Sequence, residues 1–147
     1  GIRDFCLSRG LGDVYKRQPK IFLGNNGRIG YRFFTKSLPE LTDFYNLFYK
    51  SKKKVIPRKI ELTGLSLAVW YMDDGSKSYK SCYFNTQQFD LKSQNFLMDS
   101  LKSLDIESRL NKDKQYFRIR TLQVSSPKIV KIISPHIIEC MRYKIPI

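Results

Sequence analysis

Residues 62–77 read Leu62-Thr63-Gly64-Leu65-Ser66-Leu67-Ala68-Val69-Trp70-Tyr71-Met72-Asp73-Asp74-Gly75-Ser76-Lys77. Between Leu65 and Met72 only Ser66 is polar, and the apolar run stops abruptly at Asp73-Asp74-Gly75. Thr63 is placed to cap a helix N-terminus, with Gly64 at the first helical position. Apolar side chains around most of the circumference predict a helix buried on nearly all sides. Gly64, Ala68 and Met72 share one face at i, i+4, i+8, and the first two are small enough to let another helix come close. Two carboxylates then emerge where the helix ends, although a helix C-terminus carries partial negative charge and disfavours anions. A positive group should offset them, and a divalent metal is the natural candidate. Taken alone, a buried helix running into an Asp-Gly turn is a common arrangement with no chemistry attached.

The full stretch closely resembles the signature helix of the LAGLIDADG homing endonucleases, in the variant reading Leu-Thr-Pro-Leu-x-Leu-Ala-x-Trp-Tyr-Met-Asp-Asp-Gly. Leu67 to Gly75 align with the nine signature letters, so Asp74 takes the acidic position before the glycine. Gly64 stands where the family commonly has proline; a first helical position accepts both. The resemblance implies an α+β fold whose half is α-β-β-α-β-β-α, with a curved antiparallel sheet lying on DNA. It implies two signature helices packed together, each bringing one acidic ligand to Mg²⁺ or Mn²⁺, and cleavage of both strands of a long double-stranded DNA site. Asp74 would be the catalytic metal ligand, and Asp73 would cap or pack at the helix end. Lys54, in Lys54-Val55-Ile56-Pro57, matches an active-site lysine, although Lys52 and Lys53 leave its register open. Lys144, within Met141-Arg142-Tyr143-Lys144-Ile145-Pro146, matches the lysine of the closing motif. Asn111 matches a polar position that orders active-site water.

Charge points the same way without the resemblance. The chain of 147 residues carries 27 Lys and Arg against 13 Asp and Glu, a formal net charge of +14, spread along its length. With 41% hydrophobic and 14% aromatic residues, that surplus describes a folded protein with a polyanionic partner. Nucleic acid fits better than an acidic membrane surface. No apolar run reaches the roughly 18 residues needed to span a bilayer, and no secretory signal is evident. Cys6, Cys82 and Cys140 form neither a zinc spacing nor a disulfide framework, which fits a reducing compartment. Abundant Lys, Ile, Phe and Tyr is what AT-rich codons supply. Together these place the protein inside a cell, in an organelle or a bacterium.

Residues 8–18, Ser-Arg-Gly-Leu-Gly-Asp-Val-Tyr-Lys-Arg-Gln, look like the in-frame translation of a sequencing adaptor. Read as protein they would be a basic arm touching phosphate through Arg9, Lys16 and Arg17. The adaptor reading sets residues 1–18 aside, makes 19–61 the end of a truncated first half, and makes 62–147 a complete second half. The missing N-terminal half would then be the natural partner of this chain.

Strands are expected over 20–23 and 31–35 around the turn residues 24–27, and a helix over 38–49 with Leu41, Phe44, Tyr45 and Phe48 at helical spacing. A basic loop follows over 50–54. Beyond the signature helix come a strand over 79–86 extended by Gln87 and Gln88, an amphipathic helix over 91–104 capped by Asp90, and a strand over 106–111. A turn over 112–115 returns the chain as a strand over 116–121, where Tyr116, Arg118 and Arg120 share one face and Phe117 and Ile119 the other. Ser126-Pro127 and Ser134-Pro135 read as two helix starts, each a cap before a proline.

A sheet burying Phe and Ile while presenting Arg suits a DNA groove, where arginine donates bidentately to guanine and lysine meets phosphate. The candidate contacts are Lys77, Lys80, Gln87 and Gln88 on the first strand pair. On the second they are Arg109, Lys112, Lys114, Tyr116, Arg118 and Arg120. Two other functions share these features: an intron RNA maturase of the same fold, and a DNA-binding remnant without catalysis.

Overall fold

The computed structural model describes residues 20–24, 27–32, 38–58 and 60–146. The adaptor-like segment, Asn25 and Asn26 of the first turn, and the strand positions 33–35 lie outside them. The chain divides into two compact units, Gly1–Asn46 and Leu47–Ile147.

In the first unit, β1 (Lys20–Leu23) pairs antiparallel with β2 (Ile29–Arg32), from Lys20↔Arg32 to Leu23↔Ile29. Gly24 N–H closes the turn on the Arg28 carbonyl at 2.7 Å, and Gly27 supplies the positive φ of +72°. Helix α1 (Glu40–Phe48) leads onward, with Glu40 and Asp43 at its positive end. Its apolar stripe has the expected spacing, yet Leu41, Phe44 and Tyr45 are exposed, as are Ile21, Leu23 and Ile29.

The second unit opens on a hairpin, β3 (Tyr49–Lys50) and β4 (Lys53–Lys54), where a loop was expected. Its turn residues Ser51 and Lys52 both have positive φ, 49° and 63°, as a type I′ turn requires. A run of lysines carries no hydrophobic alternation to reveal such a hairpin.

Helix α2 (Gly64–Asp74) starts in a reciprocal cap: Ser66 N–H donates to Thr63 Oγ1 at 3.2 Å, and Thr63 N–H to Ser66 Oγ at 2.8 Å. Leu67, Ala68 and Tyr71 are fully buried, but Leu65 (58% exposed) and Val69 (47%) are not. The expectation of burial on nearly all sides is corrected: α2 keeps one open apolar stripe. Gly64 faces Ile132, whose Cγ2 lies 3.3 Å from where a side chain would begin.

The chain passes from α2 directly into β5 (Gly75–Ser78), turns at Tyr79-Lys80, and returns as β6 (Ser81–Phe84). The strand expected over 79–86 is thus the second strand of a hairpin, β6, preceded by its turn, and Gln87 and Gln88 lie in a turn instead of extending it. The Asp-Gly-Ser letters concealed β5 because they read as turn chemistry. Helix α3 (Leu91–Lys102) has the expected cap, Ser93 N–H donating to Asp90 Oδ1 at 2.7 Å. Strands β7 (Ser108–Asp113) and β8 (Tyr116–Thr121) complete an antiparallel sheet of order β5-β6-β8-β7. Leu101 of α3, Tyr71 of α2 and Ile129 and Ile133 of α4 (Ser126–Ile133) join Cys82, Phe84 and Ile119 of the sheet in one core.

The serine caps are corrected too. Helix α4 begins at Ser126 itself, whose hydroxyl donates to the Lys80 carbonyl, and Ser125 Oγ accepts the Glu107 N–H at 2.8 Å instead of capping. Ser134–His136 is one 3-10 turn, and the chain ends in a second 3-10 segment, Glu139–Lys144.

Candidate catalytic end and nucleic-acid face

Asp74 is the last residue of α2, half-buried, and its neighbour Asp73 is exposed. The junction is held from three sides. Gly75 N–H bonds back to the Tyr71 carbonyl, and a side chain at Gly75 would start 2.2 Å from that oxygen, so only glycine lets the helix turn into a strand here. Asn85 N–H donates to the Asp74 carbonyl at 3.0 Å, fixing Asp74 beside the end of β6. The closing 3-10 segment makes two bonds to α2: the Tyr71 hydroxyl donates to the Lys144 carbonyl at 2.7 Å, and Lys144 Nζ donates to the Met72 carbonyl. Burial pushes the Tyr71 phenol far above its ordinary value, with Cys82 beside it adding to the shift, so it stays protonated and donating. A lysine of the chain's own, Lys144, thus reaches the end of α2, at the Met72 carbonyl two residues before Asp74. Its ammonium meets that carbonyl in the last turn of the helix, where partial negative charge accumulates.

Lys54 Nζ lies 5.7 Å from the centre of the Phe89 ring, in the segment that follows Asn85 and Gln87. Lys53 pairs with Lys50 and alternates away, and Lys52 is in the turn, so Lys54 is the lysine carried toward that segment. Asn111 is elsewhere. It sits on β7, the far edge of the sheet, three strand spacings from β5, or roughly 14 Å. The reading of Asn111 as orienting water at Asp74 is corrected by that strand order, which puts β8 and β6 between them.

The register sorts the expected nucleic-acid contacts. Ser76, Tyr83, Arg120 and Arg109 face one another across all four strands, and Asn111 faces Arg118 in the next row. With Tyr116 opposite Asp113, these residues occupy the sheet face away from the core. Arg109 and Tyr116 are exposed, and Arg118 and Arg120 are half-buried. Lys77 pairs with Cys82, and Lys112 with Phe117, so both leave the sheet on the helix-covered face. Both are exposed, so parity sets them off the arginine face without taking them from the surface. Lys80 and Lys114 are in hairpin turns, Lys80 with its Nζ 5.6 Å from the Tyr79 ring centre. Gln88 is exposed, but Gln87 is engaged, donating to Asp113 Oδ2 at 2.9 Å.

Sequence reading missed Ser76, Ser78, Tyr83 and Asn85 on this face. The signal was there: stepping by two from Asp74 reaches Ser76 and Ser78 once β5 is recognised as a strand. Gly64 and Ala68 pack within the unit, so the open stripe of α2 is Leu65 and Val69, ending near Asp73.

A divalent ion that binds through one or two carboxylates plus phosphate and water fits the donors here. Asp74 offers one accessible carboxylate, and among the described residues no group of three His, Cys, Asp or Glu forms a closed cage.

The sequence profile of the LAGLIDADG DNA endonuclease family matches residues 10–129. The chain belongs to this family. Cytochrome b mRNA maturase bI2 of Saccharomyces cerevisiae is 35% identical over 142 residues, covering 86% of this chain and 33% of the relative. The bI2 maturase of Debaryomyces hansenii is 33% identical over 140 residues, covering 90% of this chain and 53% of the relative. DNA endonuclease I-ChuI of Chlamydomonas applanata is 28% identical over 131 residues, 77% of this chain and 60% of the relative. The chain thus spans a third to about half of the maturases it matches. The homing endonuclease I-WcaI bound to its DNA recognition sequence superposes with a TM-score of 0.81 at 21% identity, over 98% of this chain and 70% of that one. The LAGLIDADG fold expected from the signature helix is therefore the fold found.

Proposed function

We propose that this chain is part of an intron-homing endonuclease that cuts double-stranded DNA at a specific site. The observation that carries the reading is the junction at Asp74. One carboxylate stands where α2 turns into the edge strand of a sheet, and the open face of that sheet carries Arg109, Arg118 and Arg120. The arginines grip the duplex from the groove, and Asp74 meets the backbone phosphate at the end of the same sheet. Mg²⁺ or Mn²⁺ held by Asp74 would activate water and stabilise the leaving oxygen. Lys144, anchored on the Met72 carbonyl, offsets charge gathering on the phosphate, and Lys54 approaches from the β3–β4 hairpin.

A second carboxylate would come from another signature helix. The exposed Leu65 and Val69 of α2 are where it would pack, and the exposed apolar residues of the first unit await the rest of their half. The partner in that role is the N-terminal half of the same protein. The relatives with cytochrome b maturase names favour a second reading, in which the basic surface holds intron RNA and assists splicing. An organellar setting agrees with both.

The test is to incubate the full-length protein encoded at the locus, with Mg²⁺, with a duplex spanning the intron-free junction of its host gene. A discrete double-strand break is expected. An intact duplex, together with tight binding of the intron RNA, would overturn the nuclease reading in favour of the maturase.

A further inference from the structure

We propose that Tyr83 is a positioning residue for base readout, holding Arg118 and Arg120 as a preformed pair that selects guanine; this rests on the DNA reading above. Both guanidiniums lie over the Tyr83 ring, with Arg118 Cζ 4.1 Å and Arg120 Cζ 5.4 Å from its centre. The register explains why. Tyr83 is paired directly with Arg120, and Arg118 is its diagonal neighbour on the same face.

Each arginine has a second hold. Arg120 Nε donates to Ser81 Oγ at 3.1 Å. Arg118 Nη1 donates to Asn85 Oδ1 at 3.5 Å, and its Nε is 3.9 Å from Asp113 Oδ2, an oxygen already accepting from Gln87. Among the described residues that buried Nε has no hydrogen-bond partner, so the face of the ring joins Asn85 and Asp113 in setting the guanidinium plane. Without it, two like charges so close on one sheet face would diverge into solvent and lose their fixed planes.

Orientation is what guanine recognition needs. Guanine offers two acceptors, N7 and O6, in the major groove, and a planar guanidinium matches both only when its fork is aimed. Adenine replaces one acceptor with a donor and rejects the same fork. An arginine restrained before DNA arrives forfeits less rotamer freedom on binding, and a misdirected fork discriminates less. The ring, not the hydroxyl, supplies the hold, because the attraction arises from the aromatic face.

The experiment selects duplexes bound by the full chain from a pool with randomised positions, and sequences them. The wild type is expected to enrich guanine at two nearby positions. Tyr83→Leu is expected to cut the guanine-over-adenine preference there about tenfold, the order of one bidentate contact, while Tyr83→Phe retains it. Arg118→Lys, which keeps the charge and the backbone but lacks the fork, is expected to flatten one of the two positions if Tyr83→Leu fails to fold. Guanine preference undiminished in Tyr83→Leu or Arg118→Lys, or a Tyr83→Phe as indiscriminate as the leucine variant, overturns the proposal. Tight duplex binding without guanine preference overturns it while leaving the DNA reading standing. Failure of the wild type to bind any duplex removes both.

Discussion

At the scale of single residues, the geometry of the candidate catalytic end depends on Gly75 and Tyr71 as well as on Asp74. A methyl at Gly75 would lie 2.2 Å from the Tyr71 carbonyl oxygen, backbone that cannot rotate aside. Gly75→Ala should therefore destabilise the fold by about 3 kcal/mol, the upper range for overpacking a filled core; urea unfolding measures it. Tyr71→Phe removes the hydroxyl bonded to the Lys144 carbonyl and should cost about 1 kcal/mol. Its more telling effect should be faster proteolysis of the closing segment, which loses one of its two bonds to α2. Two exposed carboxylates contribute to the acid side of the stability profile. The Ser93 N–H holds Asp90 below the ordinary carboxylate value of 3.8, and Lys128 does the same for Asp105. A depressed folded-state value means that their contribution is complete above pH 3.8 and fades as pH falls through the lower value. Unfolding midpoints recorded from pH 5 to pH 2 should fall below pH 4, and Asp90→Ala should flatten part of that fall.

At the scale of elements, the sequence was informative wherever chemistry and periodicity agreed. The α2 cap at Thr63, the α3 cap at Asp90 and the β8 alternation of Arg118 and Arg120 against Phe117 and Ile119 were legible because each has a local cause. The β3–β4 hairpin was not, since its lysines carry no pattern and its turn is set by two positive φ values. Nor was β5, because an Asp-Gly-Ser string favours a turn until Gly75 is seen to be compressed against Tyr71. Asn111 was misjudged for a different reason: strand order is a long-range property, and β7 lies at the edge remote from β5. The side-chain parity that sets Lys77 and Lys112 apart from the arginine face also depends on register, which a one-residue shift inverts. The open stripe on α2 gives the prediction proper to this scale. Leu65→Glu with Val69→Glu should leave unfolding free energy within about 0.5 kcal/mol, as for surface substitutions. The same pair in the full-length protein should abolish cleavage by blocking the second signature helix.

At the scale of the whole molecule, net charge and fold both support the proposed nucleic-acid partner. A formal charge of +14, with arginines on the open sheet face and Lys80 and Lys114 in its hairpin turns, is what the proposed binding needs to displace counterions from nucleic acid. Binding to duplex DNA should weaken steeply between low and high salt, and a flat response would contradict an electrostatic grip. The most direct test is cleavage by the full-length protein carrying Asp74→Asn, a substitution that preserves shape and removes the carboxylate. With Mg²⁺ and a duplex spanning the intron-free junction, the wild type should give a double-strand break and the variant none. A variant that cuts as fast as the wild type would show that Asp74 is not the metal ligand and would contradict the account.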